Sequence, residues 1–167
     1  MPPIVLFLTI ALLSVWPAVA QTVVDGDTIK LDGTTWRLWG IDAPEMQQTC
    51  ADGWAAGIEA KRALEALMAE REVACESRGH DRYGRTIGLC RADGQDLGAA
   101  MVSAGMAWAF IRYSRDYVVQ ESAAVAANLG VHALRCIPAW EWRAQKLVHN
   151  GSASERAPGC LTFRRAL

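Results

Sequence analysis

Acidic side chains and one arginine crowd into a short apolar stretch, VVDGDTIKLDGTTWRLWGIDAPE, running from Val23 to Glu45. Asp25, Asp27, Arg37, Asp42 and Glu45 are set around its two apolar, strand-like runs, Thr28–Leu31 and Thr35–Trp39. Two carboxylates that face each other repel unless a cation or a proton lies between them. A strand ladder joining the two apolar runs would bring Asp27 and Asp42 together and create that demand. A second polar cluster, His80-Asp81-Arg82-Tyr83-Gly84-Arg85, offers two more arginines. A phosphodiester attacked by water gains negative charge on its oxygens, which guanidiniums and a hard cation are suited to stabilise. On this chemistry Asp27 and Asp42 hold a divalent metal, Arg37 and Arg85 surround the phosphate, and Glu45 orients or deprotonates the water. The same residues also read as ordinary structure. Asp25-Gly26-Asp27 suits a turn, Asp42-Ala43-Pro44-Glu45 a helix-entry cap, and the arginine cluster a solvated hairpin loop.

The elements that must position these groups follow from periodicity and turn chemistry. Thr22–Leu31 and Thr34–Gly40 read as strands joined by the turn at Asp32-Gly33. Asp52 is placed to cap a helix from Gly53 to Arg71, with Trp54, Ile58, Leu64, Leu67 and Met68 at helical spacing. Glu72–Cys75 and Thr86–Arg91 flank the arginine loop as a hairpin, and Asp93-Gly94 closes the next turn. A short helix from Asp96 or Gly98 to Ala104 ends at Gly105, followed by a strand at Trp108–Ile111. Asp116 is placed to cap a helix to Asn128, and Pro138–Arg143 reads as a short helical turn. Local strand pairs with two or three helices suit a mainly β fold, the five-stranded oligonucleotide-binding barrel with attached helices. A small α+β sandwich fits the periodicity as well.

The chain has 167 residues, room for one domain with a core. Residues 1–20 carry no charged side chain, and Ile4–Val15 is apolar, with Ala18-Val19-Ala20 as a small-x-small signal. This is the pattern of a secretory leader cut before Gln21. The expected division is a leader at 1–20, a domain at 21–135 and a C-terminal extension at 136–167. The product is exported, to the periplasm or beyond the cell, with no membrane attachment after cleavage; the alternative is a membrane anchor retained through residues 4–20. A net charge of −1 argues against coating nucleic acid by bulk charge. The basic residues are mostly arginine, the better fork for phosphate oxygens. Five cysteines with no CxxC pair suggest disulfides in an exported protein. Cys75 and Cys90 lie on the two flanks of the central hairpin. A second bridge, Cys136 to Cys160, would tie back the tail and leave Cys50 unpaired.

The residues also carry a resemblance. Val24-Asp-Gly-Asp-Thr28, Arg37-Leu38, Gly40-Ile-Asp-Ala-Pro-Glu45 and Asp81-Arg-Tyr-Gly-Arg85 resemble the signature segments of the thermonuclease, or staphylococcal nuclease-like, family. The likeness runs from about Val23 to Gly130, with the motifs in the same order. It implies the oligonucleotide-binding barrel with three helices. It also implies calcium held by Asp27, Asp42 and the Ala43 backbone carbonyl, phosphate clamped by Arg37 and Arg85, and Glu45 as the catalytic acid–base. Arg82, Tyr83 and Tyr113 fall at substrate-contacting positions, with Ile111 where the family's second tyrosine stands. The implied activity is calcium-dependent hydrolysis of DNA or RNA, endonucleolytic, giving 3′-phosphorylated products, by a monomer. The Pro138-to-Arg143 tail is similar to that of exported relatives with cysteines.

Three function classes part at the acids. A pure nucleic-acid-binding barrel gains nothing from Asp27, Asp42 and Glu45 beside phosphate, because they repel it. Arginines together with these acids suit hydrolysis. An exported structural or interaction protein needs both clusters to be accidental turns.

Overall fold

The computed structural model describes residues 20–154 of the chain. The expected leader therefore lies outside the described residues except for Ala20, as does Cys160.

Eight strands and four helices follow one another along the described residues. The opening segment is β1 (Gln21–Asp25), β2 (Thr28–Leu31), β3 (Thr34–Leu38) and β4 (Ile41–Asp42). Then come α1 (Ala56–Met68), β5 (Val73–His80), β6 (Thr86–Ala92), β7 (Gln95–Asp96) and α2 (Leu97–Ser103). β8 (Trp108–Ala109), α3 (Val118–Ala126), a 3-10 turn at Gly130–His132 and α4 (Ala139–Ser154) complete the order.

The turns behave as their residues dictate. Asp32 and Gly33 both take positive φ (48° and 78°), as do Asp93 and Gly94 (46° and 83°). That backbone matches the twist of a two-residue hairpin. A further turn at Gly26-Asp27 splits the expected first strand in two, so that Gln21 pairs with Leu31 and Val23 with Ile29. β3 and β6 run parallel, their connection passing through β4, α1 and β5, the long crossover that parallel pairing requires.

The expected closed barrel is not what forms. The main sheet is an open mixed sheet in the order β1-β2-β3-β6-β5, with β7 added to β6, and its edge strands β1 and β5 do not pair. β4 and β8 are two residues each and pair only with one another. They are too short to bridge the edges. The β1 edge is met by helix instead: the Gln21 side-chain amide donates to the Met68 and Arg71 carbonyls at 3.2 and 3.1 Å.

The core lies between this sheet and the helices, around Ile29, Leu38, Leu64, Leu97, Met101 and Val102. Burying a Leu or Ile side chain contributes roughly 1.5–3 kcal/mol. The buried stripe of α1 is Ala56, Ala60, Leu64 and Met68, spaced by four, while Ile58 is exposed. Small residues face inward because the helix approaches the Gly26 turn closely. A Cβ on Gly26 would lie 2.7 Å from the Cβ atoms of both Ala43 and Ala60. The helix also starts later than expected, because Asp52 accepts from the Trp54 N–H in a local turn and caps nothing. Asp96 does cap α2, accepting from the Ala99 N–H at 3.0 Å. Asp116 accepts from the Trp39 indole at 2.9 Å, and α3 begins without a side-chain cap.

A second, smaller core joins Trp108, Val131 and Ala139, with Trp54, Cys136 and Trp140 packed against it. It docks the C-terminal segment on the rest of the chain. There the expected short turn is the start of a longer helix, α4, entered after Pro138.

Two disulfides join described residues. Cys75 and Cys90 are direct partners across the β5–β6 ladder and are bonded, as expected. The expected Cys136–Cys160 bridge is replaced by Cys50–Cys136. The second core sets this pairing, because Cys136 packs against it together with Trp54, four residues after Cys50. No helix among the described residues is long and apolar enough to cross a membrane.

Candidate active site

The β2–β3 hairpin register sets Thr28 opposite Arg37, and the Leu38 N–H donates to the Asp27 carbonyl at 2.8 Å. Arg37 therefore emerges beside Asp27. Its Nη1 lies 2.6 Å from Asp27 Oδ1 and its Nη2 donates to Asp42 Oδ1 at 2.6 Å. Asp42 is held from the other side by the β4–β8 pair, where it stands opposite Trp108. The two aspartates thus meet through one guanidinium rather than directly.

From there the charges continue to alternate. Arg143, on the first turns of α4, donates from Nη2 to Asp42 Oδ2 at 2.8 Å and from Nη1 to Asp42 Oδ1 at 3.2 Å. The same Nη1 donates to Glu45 Oε1 at 2.6 Å. The row reads Asp27, Arg37, Asp42, Arg143, Glu45. It runs from the interior, where Asp27 and Asp42 are buried, toward solvent, where Glu45 is partly open. Buried charges persist only when paired and hydrogen-bonded, and here each acid has a guanidinium.

Asp27 is the most constrained member. Its Oδ2 accepts from the Ala43 N–H at 2.8 Å and its Oδ1 from the Thr28 hydroxyl at 3.1 Å. Burial pushes its carboxyl up to about 7, with Asp25 and Asp42 adding to the rise and Arg37 and the Ala43 N–H opposing it. Burial disfavours the charge on Arg37, but Asp27 and Asp42 more than offset this and hold its pKa above the usual value. The same holds for Arg143, where burial is outweighed by the bonds to Asp42 and Glu45.

Glu45 is positioned through its backbone. Its N–H donates to the Gln48 side-chain oxygen at 3.2 Å, and its carbonyl accepts from the Gln48 N–H at 2.7 Å. Gly57 brings α1 directly against that carbonyl.

The remaining predicted residues stand elsewhere. Arg85 Nε donates to Asp81 Oδ2 at 2.7 Å, and no hydrogen bond or ion pair among the described residues joins Arg85 to Asp27, Asp42 or Glu45. The Arg82 and Arg85 guanidiniums lie 4.8 and 5.7 Å from the Tyr83 ring centroid. Tyr83 is exposed on this hairpin tip, and Tyr113 is exposed beside Phe110, their ring centroids 5.1 Å apart. Ala43 is buried with its N–H toward Asp27.

Two residues of the site were not singled out from sequence. Gln48 sits in a polar connection and looks like linker. Arg143 lies about a hundred positions from its partners, and the Trp142-Arg143 pair in the tail was its only signal. Among the described residues no three His, Cys, Asp or Glu side chains converge to hold a metal ion. A hard cation would find two carboxylates, Asp27 and Asp42, with Glu45 reached through Arg143.

Comparison with known proteins adds a family. The model of the staphylococcal nuclease homologue family matches residues 35–132. That span holds Arg37, Asp42, Glu45 and Arg85, while Asp27 and Arg143 lie on either side of it. An uncharacterized endonuclease of Haemophilus influenzae is 33% identical over 147 residues, covering 83% of this chain and 79% of that protein. A micrococcal nuclease of Shigella flexneri is 33% identical over 139 residues, 72% of this chain and 76% of its own length. The succinoglycan biosynthesis protein ExoI of Rhizobium meliloti is 43% identical over 98 residues, 54% of this chain. The chain spans about half the length of that relative, 51%.

Proposed function

The chain belongs to the staphylococcal nuclease homologue family, and from that premise we propose that it hydrolyses phosphodiester bonds in DNA or RNA with calcium as cofactor. The observation that carries the reading is the row of acids and arginines from Asp27 to Glu45. It combines a candidate base at the solvent end with guanidiniums that match phosphate oxygens.

In this reaction the oxygen of a water molecule bonds to phosphorus as the bond from phosphorus to the 5′ oxygen breaks. The products are a 3′-phosphate and a 5′-hydroxyl, the leaving oxygen taking a proton from solvent. Glu45 orients the water and accepts its proton. Its fixed backbone and half-open carboxylate suit that role. Arg37 stabilises the charge that develops on the phosphate oxygens. Arg85 with Arg82 and Tyr83 on the β5–β6 hairpin, and Tyr113 on the loop after β8, hold the strand further along.

Calcium fits the chemistry of the donors. Carboxylate oxygens on short, hydrogen-bonded elements suit a hard cation, and Asp27 and Asp42 with the Ala43 carbonyl would hold it. When bound it supplies Lewis-acid stabilisation to a phosphate oxygen.

A non-catalytic nucleic-acid-binding role is favoured by one feature: Arg37 and Arg143 are already paired with the acids that would repel phosphate and offset most of their charge. Export is proposed from the apolar leader-like segment and is supported by two disulfides. The deciding experiment incubates the protein with plasmid and with RNA across calcium concentrations and with chelator. Calcium-dependent nicking with 3′-phosphate ends is expected. Substrates retarded but intact at every calcium concentration would leave only binding.

A further inference from the structure

We propose that Arg143 is an internal counter-cation that competes with calcium for Asp42, so that helix α4 sets the metal affinity of the site. This rests on the calcium-using reading above.

Arg143 engages both Asp42 oxygens and one Glu45 oxygen. Calcium binds through six to eight oxygens at roughly 2.3–2.6 Å, and a guanidinium bonded to both oxygens of Asp42 sets its bulk and its positive charge where the ion would approach that carboxylate. Arg143 and the metal therefore exclude each other at Asp42.

The two arginines differ in how they can yield. Arg37 is clamped between two buried aspartates, and its side chain is 20% exposed. Arg143 is 39% exposed and closes the solvent end of the row. A cation arriving from solvent meets Arg143 first. Three carboxylates against two guanidiniums leave one negative charge. Exchanging Arg143 for a divalent ion brings the remaining group to neutrality, so the exchange creates no uncompensated charge.

The base of α4 does not need to move. It is fixed by the Cys50–Cys136 bridge, by the Gln48 amide donating to the Ile137 carbonyl at 2.8 Å, and by the edge-on contact of Trp140 with Trp108. A turn beyond Arg143, Lys146 donates to the Gln47 side chain at 3.1 Å, holding the helix over the same connection. Only the Arg143 side chain, 39% exposed, has to leave Asp42.

The test is calorimetric titration of calcium, without nucleic acid, into the full chain, Arg143→Gln and Arg143→Lys, each checked by circular dichroism melting. Arg143→Gln is expected to bind calcium at least about tenfold more tightly, about 1.4 kcal/mol. Arg143→Lys, which keeps the charge but loses the fork, is expected in between. Equal or weaker binding by a folded Arg143→Gln, or no binding by any of the three, overturns the proposal. If Arg143→Gln does not fold, Arg143→Lys decides on the same criterion. A plasmid assay separates the two readings. Cut plasmid with equal affinities refutes the competition alone. Intact plasmid beside a tighter-binding variant refutes nuclease activity alone.

Discussion

Gln48 and Ile137 are 89 positions apart, yet the buried Gln48 amide donates to the Ile137 carbonyl at 2.8 Å. The other end of the same side chain accepts from the Glu45 N–H. One residue thus ties the candidate base to the segment that carries α4. Gln48→Ala leaves the Ile137 carbonyl and the Glu45 N–H unsatisfied, at a cost of about 1–3 kcal/mol each when buried. A drop in urea midpoint is expected together with lower turnover. Unchanged stability would place both groups in contact with water.

Non-reducing peptide mapping should recover Cys75 joined to Cys90 and Cys50 joined to Cys136. Removing the Cys50–Cys136 bridge, which closes the longer loop, should cost about 2–5 kcal/mol. Cys50→Ala should in addition make the junction before α4 more susceptible to limited proteolysis. Recovery of Cys136 on a peptide with Cys75 or Cys90 would contradict the pairing.

Glu45→Gln keeps the side-chain length and hydrogen-bonding reach but cannot take a proton. On the proposed mechanism the rate of DNA cleavage falls by about 10²–10⁴-fold with the fold retained. Asp27→Asn and Asp42→Asn should instead weaken calcium affinity, and added calcium should restore part of their activity. A folded Glu45→Gln that cuts at the parental rate removes Glu45 from the role of base.

Gly57 lies in the first turn of α1, where helix propensity favours alanine by at most the roughly 1 kcal/mol of a helix interior. The tertiary contact opposes this, because a Cβ there would lie 1.9 Å from the Glu45 carbonyl oxygen and 2.7 Å from Met46 Cα. Backbone cannot yield as a flexible side chain does, so Gly57→Ala should be destabilising and should displace Glu45. Thermal melts and a cleavage assay check both. A higher melting temperature would show that α1 can retreat from the 45–46 segment.

His132 has a buried Nε2 without a hydrogen-bond partner among the described residues, and burial holds its pKa below the ordinary value, with Glu121 acting in the opposite direction. The folded state therefore resists a proton that the unfolded state accepts. Its contribution to stability is intact above the unfolded value, about 6.5, and is lost as pH falls below it. The stability difference between the parent and His132→Gln should shift in favour of the variant from pH 7.5 to pH 5.5, read as urea midpoints. A difference constant with pH would mean that His132 titrates normally when folded.

Local chemistry was legible in the chain by itself. Asp32-Gly33 and Asp93-Gly94 dictate tight hairpin turns, Asp96 caps its helix, and Cys75 and Cys90 sit where a hairpin makes them neighbours. The motif from Asp25 to Glu45 marked the site because so many charges on apolar, strand-forming sequence need partners. The tertiary structure decided which partners. Whether a sheet closes depends on the lengths and pairings of strands far apart in sequence, and β4 and β8 stop after two residues. The first half of the inward face of α1 carries Ala56 and Ala60 while Ile58 is exposed, because closeness of packing against the Gly26 turn, not hydrophobicity alone, selects the residue. Cys136 joins Cys50 through a second core assembled from Trp54, Trp108, Val131 and Trp140. Arg143 reaches Asp42 and Glu45 only because that core, the bridge and Gln48 set the start of α4 beside them. Contacts across about a hundred residues leave no periodicity in a sequence, since they are fixed by packing and not by spacing.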